Sequence, residues 1–249
     1  NVEKTVAGLS AALEKHLAGE EAAFNIVSES AKSRVVTQSA AELGIIESIG
    51  IGRSDFSGST ANRIKNIRHG SNKLNGRLIA PCEEFSAIGA LEPVTAEDGY
   101  VPEQIILGDR ITPEVGGGLC QIGTTLFRMA MNSGLPITER QNHSLVVRYY
   151  YDPTNGKPGT DATLYGPHPD LRFVNDTGHW LLITTDVNTK TKALTYTLWG
   201  TPDGRHGSYT PPQVLNWVPA PAETRNIETT DLSPGEQKCQ NAFTGANTT

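Results

Sequence analysis

Apolar residues recur at helical spacing near the start of the chain: Val6, Leu9, Leu13 and Leu17, with Gly19 placed to end the run. This period predicts an amphipathic helix over Val2–Leu17. Residues 28–42 are polar and read as an irregular or strand-plus-helix tail of a preceding domain. Ile45, Ile46, Ile49 and Ile51, interrupted by Gly50 and Gly52, predict a bent strand over 45–56. A second helix is expected after Ser59 or Thr60, either a suitable N-cap, and should end at Asn75 before Gly76. Its apolar positions, Ile64, Ile67 and Leu74, are sparse, so much of its face is polar. Residues 78–85 read as extended around Pro81, and 105–111 as a strand pair turning at Gly108-Asp109. A third helix is predicted over 120–132, with Ile122, Leu126, Met129 and Ala130 as its buried stripe, ended by Gly134 and Pro136. Residues 137–151 alternate and predict a strand with His143, Leu145 and Val147 on one face and Ser144, Val146 and Arg148 on the other. Further strands are expected at 161–165, 171–174, 180–186 and 193–199, the last two forming a hairpin through Asn188-Thr189. Helices come first and strands later without βαβ alternation. The predicted class is α+β, an antiparallel-rich sheet with a few helices, the central one carrying Cys120 at its N-terminus.

Composition adds boundaries. The first eighty residues carry no proline, and most of the fifteen prolines lie at or beyond Pro153. The proline-dense stretch 201–225 reads as a linker or extended strap, and the polar, Thr-rich 226–249 as the start of a truncated C-terminal module. The expected organisation is therefore 1–45, a helical segment ending a preceding domain; 46–200, the main domain; then the strap and the module. The 249 residues hold 21 Lys plus Arg against 27 Asp plus Glu, a net charge of −6, which argues against nucleic acid as a partner. No run approaches the ~18 apolar residues of a membrane span, so no membrane contact by this stretch is expected. The chain begins at Asn1 and is expected to be a processed or truncated fragment, with any leader or anchor in a removed segment. Three cysteines leave at least one thiol unpaired within the chain.

The run Gly116-Gly117-Gly118-Leu119-Cys120-Gln121 carries the chemistry. Glycines before a helix let the backbone come close to a ligand and leave N–H groups free. A thiol at a helix N-terminus has a lowered pKa, and the amides of Gly117 and Gly118 and their neighbours can hold an oxyanion. The alternative is a small buried cysteine after a tight turn. His143 follows by one helix and one turn, near enough to serve as general base and acid. Asp161, further on, could orient the imidazole, or simply cap the turn after Pro158-Gly159. The order of Cys, His and Asp resembles that of transglutaminase-like thiol enzymes. No CxxC, HxxxH or HExxH motif is present, so no metal and no other cofactor is expected. Cys82 and Cys239 could pair with each other, or Cys239 with a residue beyond Thr249, leaving Cys120 as the spare thiol.

Further motifs accompany this run: Asn62-Arg63-Ile64-x-Asn66-Ile67, Pro81-x-Glu83-x-Phe85-Ser86 with Gly99-Tyr100, and the extended form Gly116-Gly117-Gly118-x-Cys120-Gln121-x-x-Thr124-Thr125-Leu126. Glu139-Arg140-x-x-His143-Ser144, Asp161-Ala162-Thr163 and Asp170-Leu171-x-Phe173-x-Asn175 follow. On these motifs the chain across 56–199 resembles the VanW family, named for an accessory protein of vancomycin-resistance clusters. Cys82 replaces a usual Gly and Phe127 a common Tyr. The resemblance implies a bacterial, extracellular or envelope-associated protein with peptidoglycan as partner, since such proteins often carry peptidoglycan-binding and glycine-rich adhesion modules. It also selects polar residues that packing explains poorly: Asn62, Arg63, Asn66, Gln121, Thr124, Thr125, Arg140 and Ser144.

Two functions follow. One is a thiol acyl-transfer enzyme, a peptidase, amidase or transpeptidase acting on peptidoglycan stem peptides. In it Cys120 is the nucleophile, His143 the base and Asp161 the orienter. Amides from Gly118 to Gln121, or the Gln121 side chain, hold the oxyanion, and Asn62, Arg63 and Arg140 bind a substrate carboxylate. The other is a non-catalytic cell-wall binding module in which the same polar cluster holds a glycan or peptide. A scaffold with a structural polar network is a third reading.

Overall fold

The computed structural model describes residues 2–21, 23, 40–107, 110–224, 226, 228, 230, 232–239 and 242–249. The chain divides into two units, 1–39 and 40–249. In the first, helix α1 (Val2–Leu17) has the expected bounds. The polar tail at 28–42 lies almost wholly outside the described residues, as does the Gly108-Asp109 turn.

The second unit is built on a four-stranded antiparallel sheet of β1 (Glu47–Asp55), β2 (Arg77–Ile79), β8 (Leu181–Asn188) and β9 (Ala193–Gly200), in the order β1-β9-β8-β2. The bend in β1 is a register shift between Ser48 and Gly50. Helix α2 (Ala61–Leu74) begins at Thr60, whose hydroxyl accepts the Arg63 amide, and ends at Asn75. Helix α4 (Leu119–Asn132) packs on β1 and β9, and the two glycines of β1 explain how closely. A Cβ at Gly50 would lie 1.9 Å from Ser133 Oγ, and one at Gly52 2.0 Å from the Thr125 carbonyl oxygen. Only bare backbone admits the helix there. Phe56, Ile67, Leu74, Ile122, Leu126, Met129, Tyr196 and Leu198 fill the space between sheet and helices with little or no exposure.

A three-stranded sheet, β3 (Glu84–Ser86), β7 (Arg172–Val174) and β6 (Ile137–Glu139), flanks this core in the order β3-β7-β6, joined to it through the short helix α3 (Ala87–Leu91). Strands β4 (Pro102–Leu107) and β5 (Arg110–Val115) form the expected antiparallel pair. The class is α+β.

Two strand expectations are corrected. The strand predicted over 137–151 stops at Glu139; a loop follows, then a 3₁₀ turn at Arg148–Tyr150. Residues 161–165 are likewise loop, so neither His143 nor Asp161 stands on a strand. Side chains pair much of the backbone of these loops, alongside single backbone bonds such as Thr163 N–H to Gln141 O and Tyr165 N–H to Pro169 O. The stretch read as linker or strap contains β10 (Val214–Val218), which pairs antiparallel with β11 (Gly245–Thr248). Cys82 and Cys239 are both unpaired and exposed, and no disulfide forms.

Candidate active site

Gly118, with a left-handed φ of 116°, turns the chain into α4 as its N-cap and offers no side-chain cap, so Cys120 enters the first helical turn. A first-turn amide has no intrahelical acceptor behind it. Leu119 N–H is taken by Gly116 O and Gln121 N–H by Gly118 O. Gly118 and Cys120 line the cleft, which makes their amides the candidates for an oxyanion, whereas Gly117 does not line it. The Cys120 sulfur accepts the Leu164 amide at 3.4 Å and can donate to the Leu164 carbonyl at 3.6 Å.

Asp161 Oδ2 receives both the backbone amide of His143, at 2.8 Å, and its ring Nδ1, at 2.6 Å. Both residues are buried, and the carboxylate therefore fixes the tautomer as well as the ring orientation. The other nitrogen, Nε2, is buried with no aligned hydrogen-bond partner and is left for the Cys120 thiol. Coupling between the two shows in their protonation. Burial pushes the thiol up, but His143, the Leu164 amide and the Arg63 charge bring it below its ordinary value. Burial pushes the imidazole down, but Asp161 and Cys120 raise it to about 9. Burial likewise opposes the Asp161 carboxylate, and His143 and Arg140 hold it below the ordinary carboxylate value. The combination favours a thiolate–imidazolium pair beside an ionised aspartate.

The pair opens on a cleft of about 510 Å³ whose walls include Arg63, Leu91, Ile105, Tyr149, Tyr150 and Leu164. The cleft is large enough for a few residues of extended peptide; its walls are largely apolar, with Arg63 and the carboxylates Glu92 and Glu114 among them.

The remaining expected site residues divide. Arg63 lines the cleft, its guanidinium 4.7 Å over the Tyr149 ring and its Nη2 donating to the Tyr150 hydroxyl at 2.9 Å. Asn62 is exposed and donates to Pro102 O. Ser144 is exposed on the His143 loop and does not line the cleft. Asn66, Gln121, Thr124 and Thr125 are fully buried, and the structure gives them supporting work in place of substrate contact. Asn66 bonds Val101 O, Val101 N–H and Gly117 O, pinning the glycine loop. Gln121 donates to Ser54 Oγ and Asp55 O, so its amide points away from the thiol and cannot be the oxyanion donor. Thr125 bonds Gln121 O and Ser54. Thr124 receives the Ala162 amide, which seats the residue after Asp161. Arg140 bonds Asp161 O and Gly159 O and stands 3.6 Å from Asp161 Oδ1, in a second hollow behind the pair. It holds the aspartate, not a ligand in the main cleft.

Two residues escape a reading by spacing. Arg128, almost fully buried on α4, donates to Arg53 O, Tyr150 O, Tyr151 O and Thr160 O, tying both site loops to the helix. Its signal was a lone cation inside the apolar stripe. Tyr150 stacks on His143, ring centroids 4.4 Å apart and planes at 16°. Its signal was the Tyr149-Tyr150-Tyr151 run. Among the described residues no group of three or more His, Cys, Asp or Glu is arranged to hold a metal ion, and no helix is long and apolar enough to cross a membrane.

A half-buried Cys120 at a helix N-terminus beside the buried His143–Asp161 pair, inside an α+β domain, defines the class of site. The sequence model for VanW like protein matches residues 62–199, and the chain belongs to this family. The Uncharacterized protein YoaR of Bacillus subtilis (strain 168) is 33% identical over 128 residues, 51% of this chain and 40% of the relative. The Vancomycin B-type resistance protein VanW of Enterococcus faecalis (strain ATCC 700802 / V583) is 31% identical over 117 residues, 47% of this chain and 42% of that protein. The chain spans about two fifths of the length of these curated relatives. No solved structure matches it.

Proposed function

We propose that this is a thiol acyl-transfer enzyme of the bacterial cell envelope, acting on amide carbonyls of peptidoglycan stem peptides. The observation that carries the chemistry is the 2.6 Å His143–Asp161 bond, which leaves the opposite ring nitrogen for Cys120 at the start of α4. The thiolate adds to the carbonyl carbon, and the imidazolium gives its Nε2 proton to the departing amine, leaving a thioester. Water or an incoming amine then gives a proton to Nε2 as it adds to the thioester carbonyl, and the intermediate expels the Cys120 thiolate, giving hydrolysis or cross-linking and restoring the pair. Asp161 stays ionised throughout. Envelope location and peptidoglycan as substrate draw on the resistance named in the Enterococcus faecalis relative and on the resemblance to cell-wall-associated proteins.

Two measurements test this. Iodoacetamide is expected to alkylate Cys120 faster than a free cysteine at neutral pH. Wild type, but not Cys120→Ala, is expected to change a muropeptide mixture analysed by mass spectrometry. A thiol that is inert in the folded protein sinks the proposal, and binding of muropeptides without conversion marks a binding module.

A further inference from the structure

Gln121 is committed to Ser54 and Asp55, so the site needs another side chain if one is to assist the helix amides at the developing oxyanion. Tyr150 is the candidate. It is 4% exposed and lines the cleft together with Cys120, His143 and Gly118. Its oxygen accepts from Arg63 Nη2 at 2.9 Å, and among the described residues no acceptor takes its own proton. A buried phenol with a spent lone pair and an unspent O–H, walling a cleft, is a donor waiting for an oxygen atom.

The placement of that donor is over-determined. The ring is fixed against His143 on one side and meets Tyr149 edge-on at 4.5 Å on another. Arg63 ties the hydroxyl to the helix start: a Cβ on Gly118 would lie 3.1 Å from Arg63 Cγ, so this side chain runs along the N-cap residue of α4 before reaching the phenol. The backbone carbonyl of Tyr150 is held by Arg128, which belongs to the same helix. A hydroxyl positioned from three directions loses little entropy in the transition state. Burial also keeps the phenol protonated, its pKa well above the ordinary value.

We infer that the Tyr150 hydroxyl is the side-chain donor to the oxyanion, with Arg63 as its positioning residue; this rests on the acyl-transfer reading above. When the thiolate forms the C–S bond, the carbonyl π pair moves to oxygen. The Tyr150 O–H donates a hydrogen bond to that oxygen without giving up its proton. When the intermediate collapses, the pair returns and the leaving group departs. Arg63, donating to the phenol oxygen, polarises the O–H and strengthens the bond as negative charge grows.

The test separates oxyanion stabilisation from thiol reactivity. Para-nitrophenyl acetate acylates a thiolate through a tetrahedral oxyanion, and its leaving group needs no proton from His143. Iodoacetamide alkylates by displacement and forms no oxyanion. Both rates are measured on the full 249-residue chain. In Tyr150→Phe, which keeps the ring against His143, ester acylation is expected to fall roughly 100-fold, on the scale of losing one oxyanion-hole donor, with alkylation within about threefold of wild type. Unchanged acylation, or a parallel fall of both rates, overturns the assignment. If Tyr150→Phe does not fold, Arg63→Met carries the test: acylation relative to alkylation should fall about tenfold, and an unchanged ratio overturns the assignment. Slow alkylation of wild type would instead refute the thiol-enzyme reading itself.

Discussion

Cys120, His143 and Asp161 form a chain of charge in which each residue sets the next. The imidazolium pulls the thiol down, and the carboxylate holds the imidazole up at about 9. The pH dependence of kcat/KM should therefore be a bell. Its acid limb reports thiolate formation below the ordinary thiol range, and its alkaline limb lies near pH 9, both belonging to the pair. Asp161→Asn removes the anion and frees the tautomer. It is expected to lower kcat/KM on the order of 10³–10⁴-fold and to move the alkaline limb toward the ordinary imidazole value of 6.5. The same shifts act on stability. The His143 pKa is raised in the folded state, so its contribution is complete below pH 6.5 and lost as pH rises through about 9. Asp161 is depressed, so its contribution is present above the ordinary value of 3.8 and lost as pH falls. Melting temperature against pH checks both signs, and an alkaline loss unchanged in His143→Gln would refute the first.

At the scale of elements, helix α4 organises the site from both ends. Its first turn presents Cys120, and Arg128, two turns on, holds the loops that bear Asp161 and Tyr150. The alternation of residues 143–148 resembles a strand because Leu145, Val146 and Val147 are half-buried apolar residues. Alternation predicts extension, but not which donors satisfy the backbone. Here Arg128, Arg140, Thr124 and Asp161 supply those partners from distant points in the chain. Arg128→Met keeps much of the volume but orphans buried carbonyls. It should cost about 3–4 kcal/mol, read from denaturant unfolding, with loss of thiol reactivity in the fraction that remains folded. A cost below about 1 kcal/mol would show that water replaces the guanidinium.

On the scale of the whole second unit, residues beyond Gly200 return to brace the site from outside. Arg205 bonds Gly134 O and Asp176, and the Tyr209 hydroxyl donates to Asp152 Oδ2 at 2.7 Å. Asp152 also receives Thr160 Oγ1, next to Asp161. Burial raises the Asp152 pKa, but bonds from Tyr209, Thr160 and Thr154 bring it below 3.8. Its contribution is therefore present above that value and lost as pH falls. Tyr209→Phe should cost roughly 1 kcal/mol, or about 2–4 °C in Tm, and begin acid unfolding at a higher pH. A melting curve superimposable on wild type at both neutral and acid pH would show that the strap adds nothing there.

The sequence by itself determined the α+β class, three helices nearly to the residue, the β8–β9 hairpin, and the candidates Cys120, His143 and Asp161, of which the first two line the cleft and the third holds His143 from behind. These rest on local physics: helical period, capping residues, turn glycines, and a thiol next to a helix start. Tertiary structure alone decided that Asn66, Gln121, Thr124 and Thr125 are buried supports, since spacing carries no record of where an amide or hydroxyl points. It also decided that His143 and Asp161 ride on loops, because their backbone partners are side chains far away in sequence. And it brought Arg63 and Tyr150 into contact, a meeting of α2 with a 3₁₀ turn that no local pattern contains.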